Sequence, residues 1–154
     1  MPQLTVTTRE NIVIGGRQQG STRVMTFNNV VDVYSRIFSF KQQVLTSLYT
    51  THADTISAGV FDDGSIKYVR ITSLGKEPLV INVLGENTVA FAYEIQQNQS
   101  FYLYGHSLVM EADDLDAITT SDMTSLEDID EVKAFCHKGA ARVEVFVASG
   151  EAAK

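Results

Sequence analysis

The densest run of chemically capable side chains in this 154-residue chain is acidic. Nine carboxylates fall between Glu111 and Glu131 with no lysine or arginine among them, and clustered carboxylates are what a hard cation such as calcium takes as ligands. An EF-hand-type loop needs oxygen ligands at alternate positions and a glycine for its sharp turn. The stretch EADDLDAITTSD lacks that glycine and interposes apolar residues, so it reads as a solvated face or an electrostatic patch for a partner. The histidines, His52, His106 and His137, lie far apart and none belongs to a close-spaced metal pattern. His52 with Asp54, and His106 with Ser107, have the residue types of a nucleophilic triad. Adjacency in sequence is not the geometry a triad requires, and each reads as a turn or surface histidine.

Cys136 sits near the end of a predicted helix, where the negative end of the dipole disfavours a reactive thiolate. GGRQQG, residues 15–20, lacks the G-K-[ST] ending of a phosphate loop and opens no helix. It reads as a turn. Tyr102 and Tyr104 alternate with Phe101 and Leu103 along a strand, which places them on core and surface rather than on a sugar-stacking platform. With no nucleophile beside a base, no metal shell and no cofactor fingerprint, the residues point to binding or assembly rather than catalysis, and no cofactor is expected.

The elements that must position such a surface are mostly strands. LTVTT (Leu4 to Thr8), NIVI (Asn11 to Ile14), TRVMTF (Thr22 to Phe27) and VDVYSRIFSF (Val31 to Phe40) alternate apolar and polar residues and are rich in β-branched and aromatic types. Gly15-Gly16 and Gly20-Ser21 punctuate them as turns. KQQVLTSLYTT, Lys41 to Thr51, has some helical spacing, but its threonine and tyrosine content favours a strand. Asp62-Asp63-Gly64 is a hairpin-type turn signal between TISAGVF and SIKYVRITS. ITSLGKEPLVINVLG reads as strand, turn, strand, and TVAFAYEI and FYLYG follow around the polar turn QQNQS.

Near the C-terminus, Ser125 with Asp128 three residues later forms an N-cap pattern. Leu126, Ile129, Val132 and Phe135 then recur every three residues, and Gly139 supplies a stop. The spacing predicts one short helix, with Lys133 and Lys138 complementing its dipole. RVEVFVASG closes the chain as a strand with Val143, Val145 and Val147 on one face and Glu144 on the other. Short strands with turn signals every eight to twelve residues predict a mainly β chain. The expected fold is a single antiparallel β-sandwich over 1–154, jelly-roll-like, with that one α-helix.

Composition excludes several classes. Apolar residues make up 44% and charged residues 20%, an ordinary globular balance rather than that of a disordered chain. A net charge of −7 and a pI near 4.8 argue against a nucleic-acid footprint, which needs clustered cations. One cysteine excludes an intrachain disulfide. The start, MPQLTVTTRENIVIGG, lacks the pattern of a signal peptide, and no apolar run reaches the ~18–20 residues of a membrane span. A soluble chain made in a reducing cytoplasm is the expectation.

KYVRITSLGKEPLVINVLGENTVAFAYEIQQNQSFYLYGHS, followed by IDEVKAFCHKGAARVEVFVASG, resembles small virion structural proteins of tailed bacteriophages, particularly those of marine and cyanobacterial phages. In such proteins a strand ending in R-I-T-N-x-G leads into paired sandwich strands, a polar turn and a further strand, with a helix and a V-E-V-type strand completing the fold. Arg70 to Thr72 and Gly75 match, Ser73 stands in place of the asparagine, and the similarity covers residues 67–149. No site residue carries over.

The resemblance implies a non-enzymatic particle component, assembled in the host bacterial cytoplasm and located in the virion. Its partners would be the major capsid protein or tail proteins, with a homo-oligomer expected and neither nucleic acid nor membrane. Capsid decoration or cement and a tail or tail-fibre role are the two subroles. The β-rich N-terminus, residues 1–28, reads as an extended arm or hairpin used in assembly. Its Gln3, Thr5, Thr7, Arg9, Arg17 and Arg23, together with Glu111, Asp113, Asp114 and Asp116, are the candidate contact surface. Two other readings stay open: a carbohydrate- or small-ligand-binding sandwich that uses its aromatic residues, and a cupin-like barrel enzyme with converging metal-binding histidines.

Overall fold

The computed structural model describes residues 2–51, 58–62, 64–85, 90–105, 107–108 and 127–151. They are mainly β, built from antiparallel sheets packed as a sandwich, with no helix among the described residues. The strands are β1 (Gln3–Arg9), β2 (Ile12–Ile14), β3 (Arg17–Gln19), β4 (Thr22–Asn28), β5 (Val30–Phe40), β6 (Thr46–Thr51) and β7 (Val60–Phe61). They continue as β8 (Ile66–Ser73), β9 (Leu79–Gly85), β10 (Ala90–Ile95), β11 (Ser100–Leu103), β12 (Ser107–Leu108), β13 (Glu127–Phe135) and β14 (Ala141–Gly150).

One layer of the sandwich has the order β5-β14-β8-β11, and the other runs β6-β13-β9-β10, with β7 added parallel beyond β6 and β12 paired to β13. Read position by position, each strand of the first layer has its chain neighbour at the same place in the second: β5 with β6, β14 with β13, β8 with β9, β11 with β10. The chain therefore changes layer at almost every turn. The Asp62-Asp63-Gly64 signal illustrates the point: Asp63 lies outside the described residues, and Ser65 N–H donates to Asp62 O at 3.1 Å. The turn nevertheless joins β7 and β8 of opposite layers rather than two paired strands.

Alternation decides which side chains fill the space between the layers. Val143, Val145 and Val147 of β14 pair across to Ser73, Ile71 and Val69 of β8. Opposite them lie Leu79, Ile81 and Val83 of β9 and Val132 and Ala134 of β13, all in one core cluster. Burying each such aliphatic side chain contributes about 1.5–3 kcal/mol. Phe91 and Tyr93 of β10 meet Phe101 of β11 at 6.1 and 5.8 Å and close one edge. At the other, Phe61 stands edge-on to Tyr34 and Tyr49.

The expected C-terminal helix is corrected: Glu127–Phe135 is a strand, while the N-cap assigned to Ser125 lies outside the described residues. The three-residue spacing that suggested a helix comes from a β-bulge. Ile129 pairs with Gly85 and Glu131 with Leu84, so Asp130 is an extra residue, and the inward set becomes Ile129, Val132, Ala134, Cys136. Bulges add one residue to a strand's period of two, which yields one step of three. Phe135, counted on the helical face, pairs with Val80 on the outer side. Without the helix, the dipole reading of Lys133 also falls, since its Nζ lies 2.7 Å from Glu131 Oε2. Cys136 is sequestered by burial, its thiol donating to Lys138 O at 3.1 Å. A second bulge, opposite Val132/Lys133 on β6, turns the consecutive residues Leu48 and Tyr49 both into the core.

Candidate functional site: the hairpin arm and the aromatic face

The N-terminal segment forms a two-stranded ribbon set apart from both layers. β1 pairs with β4 from Gln3↔Asn28 to Arg9↔Thr22, and β2 pairs with β3 from Ile12↔Gln19 to Ile14↔Arg17, in one unbroken register. Gly15 and Gly16, at φ +58° and +78°, make the two-residue reversal, a turn whose positive φ angles match the twist of the strands. Between the two paired parts the ribbon kinks but stays joined, Glu10 N–H donating to Ser21 O at 2.8 Å. Gly20 allows the kink: at φ +139°, a Cβ there would stand 2.2 Å from Glu10 O.

The base of the arm is fastened to the body. Leu4, Val6 and Phe27 pack against Val30, Tyr68, Phe146 and Ala148 on the outer face of the β5-β14-β8-β11 layer. Lys67 Nζ donates to Asn28 O at 3.0 Å, Val30 N–H to Pro2 O at 3.2 Å, and Gln3 Nε2 to Asn28 Oδ1 at 2.8 Å. Farther out, nothing comparable among the described residues holds it to the body. The tip exposes Ile12, Val13 and Ile14.

Beside the arm's base lies an aromatic face. Tyr68 is buried at its centre, with Phe27, Tyr104, Phe146 and Tyr102 at ring-centroid distances of 5.6, 5.8, 6.0 and 6.4 Å. Tyr102 and Tyr104 are exposed and parallel to within 5°. Arg70 reaches Glu144 at 3.1 Å and lies over the Phe146 ring, while its Nε is buried with no hydrogen-bond partner among the described residues. Leu4 to Thr7, Tyr68, Arg70 and Phe146 line a groove of about 290 Å³ between arm and sheet. Burial first, then Tyr102, pushes the Tyr68 phenol above its ordinary range, against the lowering effect of Arg70. The face offers ring surfaces and a guanidinium, not a nucleophile with its base.

Of the residues singled out from the sequence, Gln3, Thr5, Thr7, Arg9, Arg17 and Arg23 all lie exposed on the arm. Glu111, Asp113, Asp114 and Asp116 lie outside the described residues, as do His52 and His106. His137 is exposed in the turn after β13, its ring 6.4 Å from Phe135. Among the described residues no three of His, Cys, Asp and Glu come together as a metal site, and no helix is long and apolar enough to cross a membrane. Sequence reasoning missed the gathering of Tyr68, Arg70 and Phe146 with Tyr102 and Tyr104. The available signal was the outward phase of each strand, opposite to the valine rows. No protein-family model matches the chain, and no curated protein shows significant similarity to it.

Proposed function

We propose that this chain is a non-enzymatic structural component of a tailed-phage particle, an auxiliary capsid decoration or cement protein that acts through its hairpin arm. The sandwich is a jelly roll in this reading, because each strand of one four-stranded layer is matched by its chain neighbour in the other. Jelly rolls recur in viral capsid and lectin domains, and the link from fold to particle is one of analogy. The observation that carries the proposal is the arm: a kinked ribbon with an apolar tip, fastened at its base and, among the described residues, nowhere farther out. Such an element serves contact with a neighbour better than it serves the stability of its own chain. The partners would be the major capsid protein or, in a tail or tail-fibre role, tail proteins.

Replacing residues 10–21 with an Asn-Gly turn joins Arg9 to Thr22, which are already paired, and removes the tip while keeping the base. The shortened chain should fold and be missing from particles assembled in its presence, as read by mass spectrometry of purified virions. Incorporation at the full-length level would refute the proposal.

A second reading rests on the exposed, parallel Tyr102 and Tyr104 beside the groove: a carbohydrate-binding face that uses tyrosine rings and Arg70. It predicts a rise in Tm with a bound glycan, lost in Tyr102→Ala. A glycan panel with no shift would remove it.

A further inference from the structure

Besides the aromatic face, two strand-borne aliphatic surfaces stay exposed among the described residues once the sandwich is closed. One is the arm tip, where Ile12, Val13 and Ile14 are 52%, 65% and 57% exposed. The other is β5, an eleven-residue strand at the margin of its layer, on which Val31, Val33 and Ile37 are 64%, 50% and 49% exposed. Among the described residues nothing pairs with its outer edge. Isolated two-stranded hairpins are marginal in water, and among the described strands β2 and β3 pair only with each other. Long apolar edge strands attract pairing by other chains. Each surface calls for a cover.

Charge indicates what the cover is. Residues 2–28 carry Arg9, Arg17 and Arg23 against Glu10 alone, whereas residues 29–154 carry 18 of the 19 acids against nine cations. A basic arm on an acidic body is complementary to the body of another copy. Two bodies repel each other while an arm and a body attract, which selects that one orientation.

We propose that the arm of one copy lies along β5 of a second copy, its aliphatic tip against the β5 side chains and its arginines toward Asp32 and Asp62, which line one groove with Val31. This deepens the assembly reading and rests on it only for where the oligomer is used. Donor and acceptor surfaces differ, so the contact runs head to tail and closes either as a ring or as a reciprocal pair.

The test is light scattering over a concentration series on the full chain, on Ile14→Asp, on Val33→Asp and on an equimolar mixture of the two variants. Both sites are exposed, and unchanged circular dichroism and Tm show that each variant is folded. The full chain should be oligomeric, with a midpoint that moves to higher concentration as salt screens the arginines. Each variant should associate on the order of 10- to 100-fold more weakly, the loss of one buried aliphatic contact. The mixture should stop at dimers, with one intact arm on one intact β5. A monomeric full chain, variants that keep the full oligomer mass, or a mixture that stays monomeric would each overturn the inference. Particle incorporation is scored separately: the chain could be absent from virions with this contact intact, or present in them as a monomer.

Discussion

Replacing Tyr49 with phenylalanine should make the protein more stable. Tyr49 is 2% exposed, and its hydroxyl has no hydrogen-bond partner among the described residues. Withdrawing a hydroxyl from water without a partner costs about 1–3 kcal/mol. Phenylalanine keeps the ring and its edge-on contact with Phe61 at 6.1 Å, and it leaves a gap of only one atom, which offsets part of the gain. A net gain of about 1 kcal/mol is expected, or roughly 2–4 °C in Tm for a domain of this size.

The same burial gives a second readout. It pushes the Tyr49 phenol far above its ordinary value of 10.0. Below that pH both folded and unfolded states hold the proton, so this group adds no pH dependence. Above it the unfolded chain releases the proton while the folded state retains it, and stability falls by about 1.4 kcal/mol per pH unit until the folded phenol titrates. Tyr68, also raised, contributes in both proteins, so the difference between them isolates Tyr49. Urea unfolding near neutrality and on the alkaline side of pH 10.0 measures both effects. A variant less stable than wild type by about 1 kcal/mol at neutrality would show that the hydroxyl is satisfied, for example by a buried water, and would refute the argument. Equal alkaline slopes would do the same.

Thr51→Val should destabilise by about 1–3 kcal/mol, because the buried Thr51 hydroxyl donates to Ile129 O at the β13 bulge, with Asp130 O also in reach, and valine removes that donor from the buried Ile129 carbonyl. Thr51→Ser should restore most of the loss in chemical denaturation, and an unaffected Val variant would mean that the bulge holds without the hydroxyl. Gly20→Ala should disorder the arm tip by about 1–3 kcal/mol of local strain, seen as faster amide exchange from Ile12 to Gln19. The body's Tm should stay unchanged, and a shared loss would mean that arm and body unfold as one unit. Arg70 and Glu144 are each about a third exposed, so a double-mutant cycle between them should give no more than about 1 kcal/mol, shrinking with salt. A larger, salt-insensitive coupling would mean that the pair is shielded in solution.

Strands β1, β2, β4 and β5 were legible from their alternation, and Gly15-Gly16 names its own turn, but Arg17–Gln19, read as part of that turn, is the strand β3 paired with β2. The layer changes were not legible. A turn signal such as Asp62–Gly64 specifies that the chain reverses, but not which sheet receives the next strand. That choice is made by long-range partners, as when β14 comes to lie between β5 and β8. The misread β13 has a local cause. A single extra residue at Asp130 put a step of three into a period of two, and four positions are too few to tell a bulged strand from a helix.

The candidate surfaces divide along the same line. The arm could be read because it is contiguous: the outward Gln3, Thr5, Thr7 and Arg9 follow one another in phase on one strand, and its glycines mark both the reversal and the kink. The aromatic face could not, since Tyr68, Tyr102 and Phe146 come from three strands that only the sheet order β14-β8-β11 makes neighbours. Each of those strands also carries apolar residues on both faces at that level, Tyr68 beside Val69 and Phe146 beside Val145, which hides the outer row behind the core. The outer row needs cover for the same reason. Leu4, Val6 and Phe27 supply it at the base of the arm, so the residues that hold the arm in place also close the most apolar part of the sheet's outer face. An assembly role places the functional demand on that shared seam. Loosening Phe27 from Tyr68 would at once expose more of the aromatic row and, under the proposed assembly role, misdirect the tip.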